Sequence, residues 1–408
     1  MPKIVIDNME LEVPKGTKVI DAAEKLGIMI PRFCYHPAMG AVGACRVCAV
    51  QFIEGPIKGI QMSCMIDAAD GMVVSTTDSD AMAFRAHVIE WLMMNHPHDC
   101  PVCDEGGHCL LQDLTVSGGH GVRRFPGKKR TYVDQDLGPL VYHEMNRCIQ
   151  CYRCARFYKE FAGYKDLGVL GIAGRTYFGR HTDGLLESPF AGNIIDICPT
   201  GVFTDKPSRY TGRRWDFQRT PGLCINCSLG CRTTISARYR RIVRVEARYH
   251  EQINGHFICD RGRYGFYYTD HPDRPRKGRI HSEQVSPEKA VETAAQRLTG
   301  IASKDGPEAV GLVSSGRSSL ETQAALMHLS YKTGWQGPVF WESRKTAGNV
   351  SAAVKALNQE NALSMREIES ADVVLTVGAD ILNEAPMLAL AVRQAYRAGA
   401  SVFAIDPR

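Results

Sequence analysis

The sequence of 408 residues lacks any apolar run near the roughly 18 residues a membrane-spanning helix requires, and its greasiest stretch, Val88 to Met94, is interrupted by Glu90. No basic region, apolar stretch or twin arginine surrounds Lys3-Ile4-Val5-Ile6, so export is not expected and a cytosolic address is. Neither G-x-x-x-x-G-K nor a clean G-x-G-x-x-G occurs, which excludes the usual phosphate-cradling loops. A nucleophile elbow and a Ser-His-Asp arrangement are also missing, so nothing points to bond chemistry on a substrate. The formal charge of +5 falls short of a strongly basic nucleic-acid binder. Basic residues do bunch at Arg123 to Arg130, Arg209 to Arg219 and Arg238 to Arg248, and these are expected to be solvated faces or subunit contacts.

Cysteine is what the chain has in excess. Fifteen of them in a chain expected in a reducing compartment argue against disulfides and for metal, and an odd number cannot pair completely. The most telling run is Cys148-Ile149-Gln150-Cys151-Tyr152-Arg153-Cys154, followed far away by Cys198-Pro199. Bacterial-type ferredoxins bind a cubane iron-sulfur cluster with such a triplet and a remote Cys-Pro. Cys34, Cys45, Cys48 and Cys64 form C-x10-C-x2-C-x15-C in a loop of small residues (Gly40, Ala41, Gly43, Ala44). Plant-type two-iron ferredoxins have the same order of gaps with a shorter first one, so a [2Fe-2S] site is expected. Zinc is the alternative on spacing alone. A Rieske centre fails because Cys45-Arg46-Val47-Cys48 offers a second cysteine where histidine is needed, and His36 reads as a packing residue.

Two further sets complete the pattern. His96, Cys100, Cys103 and Cys109 give H-x3-C-x2-C-x5-C, with His98 as a competing ligand through a tighter loop. Cys224, Cys227, Cys231 and Cys259 give C-x2-C-x3-C-x27-C. All fifteen cysteines and one histidine thereby fall, in order, into four sets of four ligands with no remainder. Four zinc ions would satisfy that arithmetic, but the ferredoxin-like spacing of the first and third sets favours iron and sulfide.

Between the sets, residues 3 to 13 predict a β-hairpin turning at Asp7-Asn8, and Val19, Ala22, Ala23 and Leu26 a helix stopped at Gly27, which together begin a β-grasp domain. A second helix is expected from Asp80 to Asn95, capped from Asp78 to Asp80, with Met82, Val88, Ile89, Leu92 and Met93 on its core face. Gly118 to Arg130 reads as a surface connector without chemistry. After Tyr268 the cysteines stop. Ser286-Pro287-Glu288 opens a helix bearing Ala290, Val291, Ala294, Ala295 and Leu298. Strands are expected at Ala309 to Val313, Val339 to Trp341, Val373 to Val377 and Val402 to Ile405, alternating with helices as in an α/β sheet. The chain ends at Asp406-Pro407-Arg408 directly after a strand, so this domain is expected to be incomplete: a fragment or a short natural form.

Four motifs carry a family resemblance: Gly43-Ala44-Cys45-Arg46-Val47-Cys48, Asn95-His96-Pro97-His98-Asp99-Cys100-Pro101-Val102-Cys103, Asn146-Arg147-Cys148-Ile149-Gln150-Cys151-Tyr152-Arg153-Cys154, and Ile197-Cys198-Pro199-Thr200-Gly201-Val202-Phe203. With these the whole chain resembles the large iron-sulfur subunit family of bacterial respiratory complex I, the NADH:quinone oxidoreductase. The resemblance implies His96 rather than His98 as ligand, one [2Fe-2S] cluster and three [4Fe-4S] clusters. It also implies an electron relay that accepts single electrons from a flavin-bearing NADH-oxidising subunit and passes them toward other iron-sulfur subunits and quinone. The order it implies is the [2Fe-2S] centre, the Cys148 centre and the His96 centre, with the Cys224 centre off the path. The expected setting is a hetero-oligomeric complex peripheral to the cytoplasmic side of the inner membrane, with no nucleic acid bound.

The multidomain α+β fold class that follows runs in five parts: a β-grasp [2Fe-2S] domain at 1–78, a [4Fe-4S] domain with one histidine and three cysteine ligands at 79–120, a ferredoxin-like [4Fe-4S] domain at 121–216, a molybdopterin-oxidoreductase-type [4Fe-4S] domain at 217–275, and a partial molybdopterin-oxidoreductase-like α/β domain at 276–408. The last two parts resemble molybdopterin enzymes, which raises NAD-linked formate dehydrogenase as an alternative. Those enzymes have lysine two residues after the fourth cysteine, whereas this chain has Cys259-Asp260-Arg261, and no later cysteine could bind molybdenum. No bound molybdopterin is therefore expected. A further alternative, the diaphorase subunit of an NAD-reducing hydrogenase, resembles residues 1 to about 210 and leaves the Cys224 set without a purpose.

Overall fold

In the computed structural model all residues are described except 119, 120, 123, 341, 342, 407 and 408. The chain divides into two units, one formed by residues 1–266 with 364–408 and the other by 267–363. Every expected metal ligand lies in the first unit.

The first unit opens with β1 (Lys3–Ile6) and β2 (Met9–Glu12), joined through Asp7 and Asn8 at φ 46° and 66°, the left-handed pair that a tight hairpin turn requires. Helix α1 (Val19–Lys25) buries Val19, Ile20, Ala22 and Ala23 on this hairpin's sheet. β3 (Ala49–Glu54), β4 (Gly59–Met62) and β5 (Met72–Ser75) complete five strands in the order β2-β1-β5-β3-β4, with β1 and β5 parallel. This is the expected β-grasp sheet. Ile4, Ile6, Val50, Phe52 and Val74 fill its core, each on the inward beat of a period-two pattern.

Helix α2 (Ser79–Met93) starts where Asp78 caps the backbone N–H groups of Asp80 and Ala81. Its buried face differs from the sequence expectation, because Ala81, Val88, Ile89 and Glu90 point inward while Met82 is 51% exposed. Buried Glu90 meets Arg124 of the following connector in an ion pair, which lets a charged residue face inward. Helix α3 (Leu110–Ser117) packs Leu111 and Leu114 against Val88 and Ile89.

The ferredoxin-like part alternates short pieces around its thiols: β6 (Val141–His143), α4 (Arg153–Ala155) continuing as a π-helical turn Arg156–Phe161, β7 (Leu167–Leu170), β8 (Tyr177–Arg180), α5 (Asn193–Ile197) and β9 (Phe203–Asp205). β6 pairs with β9, and β7 with β8. Three antiparallel strands follow, β10 (Gln218–Leu223), β11 (Arg232–Arg238) and β12 (Arg241–Ala247), then α6 (Asp260–Tyr264).

In the second unit β13 (Gly278–Ile280) and β14 (Glu283–Val285) form a hairpin, followed by α7 (Pro287–Asp305), which Ser286 caps as expected. β15 (Gly311–Ser314), α8 (Leu320–Thr333) and β16 (Gln336–Phe340) make a parallel pair with a crossover helix, and α9 (Arg344–Ala356) follows. Residues 364–408, part of the first unit, hold α10 (Met365–Glu369), β17 (Val373–Val377), α11 (Ile381–Glu384), α12 (Pro386–Ala398) and β18 (Ser401–Ile405). The α/β alternation matches expectation, with β15 and β16 pairing in parallel in the second unit and β17 and β18 pairing in parallel within residues 364–408. Trp341, expected at a strand end, and Pro407-Arg408 lie outside the described residues. No helix among the described residues is long and apolar enough to cross a membrane.

Candidate metal centres

All fifteen cysteines are free thiols. The first set is brought together by the loop between α1 and β3, where Gly43 and Arg46 take φ of 68° and 62°, and by Cys64 just after β4. All four sulfurs are buried, with Cys48 Sγ 3.3 Å from Cys64 Sγ and the Cys34 amide 3.5 Å from Cys45 Sγ. Hydrogen bonds from the Cys45 and Cys64 thiols hold Cys34 at about 2, and the same contacts push Cys45 and Cys64 up. Ionising the whole set needs positive charge among them, which a metal centre provides. His36 points elsewhere: it stacks on Phe257 at 5.7 Å, and burial pushes it down to about 3, so it stays neutral.

The second set hangs on α2. The helix end delivers His96, a 3₁₀ turn carries Cys100 to Val102, and Cys109 stands at the N-terminus of α3. His96 is buried while His98 is exposed. His96 Nδ1 lies 3.1 Å from the Arg147 carbonyl, which fixes the ring and leaves Nε2 as the nitrogen for a metal. Burial pushes His96 down to about 4, so the imidazole is neutral, as a ligand must be. The connector's described residues within 121–130 form the expected surface loop, and that loop also braces this segment. Lys129 Nζ donates to the His96 carbonyl, and the Arg130 amide donates to Asn95 Oδ1 at 3.0 Å.

In the third set Gln150 and Tyr152 take φ of 55° and 66°, winding the triplet so that Cys148 Sγ accepts from the Gln150 amide at 3.3 Å. Cys148, Cys151, Cys154 and Cys198 all line one small cavity, closed by Ile149, Phe178, Val202 and Phe203. Burial pushes every one of these thiols up, Cys151 to about 12. Thiols in such a dry chamber ionise only in exchange for a bound cation.

The fourth set joins the end of β10 to the start of β11, where the Cys224 amide donates to the Cys231 carbonyl at 2.9 Å, and closes at the N-terminus of α6. Gly262 shows how tightly backbone approaches these sulfurs, since a Cβ there would sit 3.3 Å from Cys224 Sγ and 3.6 Å from Cys259 Sγ. Burial raises Cys231 to about 12 and Cys259 to about 11. Arg261, where molybdopterin enzymes carry lysine, instead donates to the carbonyls of Asn383 at 2.6 Å and Glu384 at 2.9 Å, the end of α11.

Among the described residues no three His, Cys, Asp or Glu side chains are placed to hold a metal ion as they stand. The thiols are gathered, not closed on a point, and the fit to metal lies in their chemistry and seclusion.

The sets are wired to one another by backbone. The Arg147 carbonyl, one residue before Cys148, meets both His96 Nδ1 and the Thr200 hydroxyl (3.0 Å), and the Pro199 carbonyl accepts from the Leu111 amide at 3.3 Å. This joins the second and third sets. On the other side Arg153 donates to the carbonyls of Tyr35 and Ile197, joining the third set to the first. Asn193 and Ile258 exchange hydrogen bonds of 2.7 and 3.1 Å, which ties the fourth set to the third through the Cys198 segment.

In the arginine bunches expected to be solvated faces or subunit contacts, Arg214, Arg219, Arg240 and Arg241 are exposed, while others serve the fold. Arg213 donates to the carbonyls of Pro101 and Cys103, Arg209 pairs with Glu144, and Arg244 approaches Asp104 at 3.6 Å, all around the second set.

Five family models match successive parts of the chain: a 2Fe-2S iron-sulfur cluster binding domain (3–79), the NADH-ubiquinone oxidoreductase-G iron-sulfur binding region (85–124), the NADH-quinone oxidoreductase subunit 3 ferredoxin-like domain (138–204), the molybdopterin oxidoreductase Fe4S4 domain (217–271) and molybdopterin oxidoreductase (277–408). The NADH-quinone oxidoreductase G subunit of Pseudomonas putida is 45% identical over 99% of this chain, and that of Escherichia coli K12 is 44% identical over 97%. Over the residues it spans, the chain is similar throughout to the NADH-quinone oxidoreductase G subunits. It covers 44% of the length of those relatives. The chain thus comprises a 2Fe-2S domain, 4Fe-4S binding regions and a molybdopterin-oxidoreductase region in a mixed helix-and-sheet fold. A solved chain from an NAD+-reducing [NiFe]-hydrogenase in the H2-reduced state superposes with a TM-score of 0.47 at 28% identity, covering 52% of this chain and 90% of that one, a likeness too partial to bear on function.

Proposed function

We propose that this chain is the electron-relay part of a NADH:quinone oxidoreductase, standing between a flavin-bearing NADH-oxidising subunit and further iron-sulfur subunits that lead to quinone. Cys34, Cys45, Cys48 and Cys64 hold a [2Fe-2S] cluster. His96 with Cys100, Cys103 and Cys109 holds one [4Fe-4S] cluster, Cys148, Cys151, Cys154 and Cys198 a second, and Cys224, Cys227, Cys231 and Cys259 a third. Bound clusters supply one-electron acceptance and release, and the order the family implies for the first three sets is the order in which the backbone links them. The observation that carries this reading is the position of the third set, tied to the first through Arg153 and to the second through the Arg147 carbonyl.

The protein's own work is to hold and seclude. Buried thiols keep water from the centres, the Arg147 carbonyl orients the His96 ring, and Gln150 and Gly262 aim amide N–H groups at Cys148 and Cys259 sulfurs. Such N–H donors stabilise the more negative state and so help to set potential. Arg261, engaged by α11, favours a molybdopterin-type region without pterin. The complex is hetero-oligomeric and the chain peripheral to the cytoplasmic side of the inner membrane.

Cys148→Ala in the assembled complex tests the reading. NADH-to-quinone electron flow should be lost while NADH oxidation by an artificial acceptor at the flavin persists. Undiminished quinone reduction overturns the on-path role of the third set.

A further inference from the structure

We infer that Arg153 is a fixed positive charge shared by the first and third ligand sets, holding both centres at a higher reduction potential than their thiolates alone would give. The inference rests on the proposed ligand sets and goes beyond them, since Arg153 is not a ligand.

Arg153 stands between Cys151 and Cys154 and is 9% exposed. Its two terminal nitrogens are spread across the gap between the sets, Nη2 donating to the carbonyl of Tyr35 at 2.6 Å and Nη1 to that of Ile197 at 3.3 Å. Tyr35 follows Cys34 and Ile197 precedes Cys198, so one guanidinium is clamped to a ligand segment of each set. The clamp carbonyls fix its position without neutralising it.

What it lacks separates it from the other buried arginines. Arg147 pairs with Asp99 at 2.7 Å, Arg263 with Asp196 at 2.5 Å, and Arg244 has Asp104 at 3.6 Å. The ionisable groups nearest Arg153 are instead the sulfurs of Cys151, Cys198, Cys45 and Cys34, two from each set, which become negative once they ligate a cluster. Among the described residues its buried Nε has no hydrogen-bond partner, a feature it shares with Arg147 and Arg263, so the missing carboxylate is what sets it apart. Among the described residues no carboxylate forms an ion pair with Arg153, so this buried cation needs its opposite charge from elsewhere, and thiolate-ligated clusters carry net negative charge that grows on reduction. A nearby fixed cation favours the more negative, reduced state, so its removal lowers the potential. Because the charge is shared, both centres must move together.

The test is a redox titration followed by electron paramagnetic resonance on the assembled complex carrying Arg153→Gln, Arg153→Lys or neither, with iron counted in each. Arg153→Gln should lower the midpoints of both the Cys34 and Cys148 centres by at least a tenfold shift in the reduction equilibrium, ~59 mV for one electron. The His96 and Cys224 centres should stay in place. Arg153→Lys keeps the charge and should keep both midpoints near those of the unsubstituted protein. The inference is overturned if a fully loaded Arg153→Gln protein moves neither midpoint or only one, or if Arg153→Lys falls as far as Arg153→Gln. Where Arg153→Gln loads no iron, Arg153→Lys decides: unsubstituted midpoints support the shared charge, and a joint fall refutes it. Failure of the underlying relay reading looks different, as missing iron signals in the unsubstituted protein.

Discussion

Gly201 offers the sharpest steric test of how the second and third sets are packed. It lies three residues after Cys198, and a Cβ built on it would stand 2.8 Å from Cys103 Sγ, 3.0 Å from Glu105 Cβ and 3.4 Å from Arg147 Cδ. None of the three can easily yield. Cys103 is a proposed ligand, Glu105 is 7% exposed, and Arg147 is held by Asp99 and Glu144. One added methyl should therefore cost the 1–3 kcal/mol typical of an overpacked core, about 2–4 °C of Tm for each kcal/mol in a large domain. Because the closest contact is with a ligand sulfur, the loss should concentrate on the His96 centre. Iron analysis with electron paramagnetic resonance of Gly201→Ala should show that centre altered or depleted, with the [2Fe-2S] signal retained. A Gly201→Ala protein with full iron, an unaltered His96 signal and unshifted Tm would refute the packing argument.

Arg263→Met should destabilise the first unit by about 3–5 kcal/mol in denaturant titration, because it strands Asp196 after removing a bidentate partner that is itself 1% exposed; a loss below ~1 kcal/mol would contradict this. His143 is 1% exposed, stacks on Phe203 at 5.2 Å, and burial pushes it down to about 4. Its folded value lies below the unfolded ~6.5, so the unfolded state binds the extra proton and stability is lost as pH falls from ~6.5 toward 4, by roughly 3 kcal/mol in all. His143→Gln should flatten the acid side of the Tm–pH curve, and an unchanged slope would remove His143 as its source. Asp78→Ala should cost ~1 kcal/mol by uncapping α2, read as a lower Tm, and no change would show that the cap contributes nothing.

The gathering of Cys148, Cys151 and Cys154 around one cavity was legible in their local spacing, and the Asp7-Asn8 turn and Asp78 cap lie where their residue types put them. The arginines were not legible. Arg213 reaches carbonyls more than a hundred residues away, and Arg209 meets Glu144 across 65 positions, separations that no local pattern encodes. Met82 was misread because helical periodicity ranks residues by hydrophobicity, while the Glu90–Arg124 pair turns a charged residue inward. The connector's Lys129, which no local pattern marked, reaches the His96 carbonyl. For the α/β region the strands were readable one at a time, but which strand pairs with which depends on tertiary contacts that alternation alone does not specify.

The most direct test of the central claim is metal analysis of the purified protein together with electron paramagnetic resonance of its reduced form. One two-iron and three four-iron centres predict about 14 iron atoms per chain with matching acid-labile sulfide, and distinct cluster signals on reduction. About four zinc atoms, no iron and no signal would contradict it.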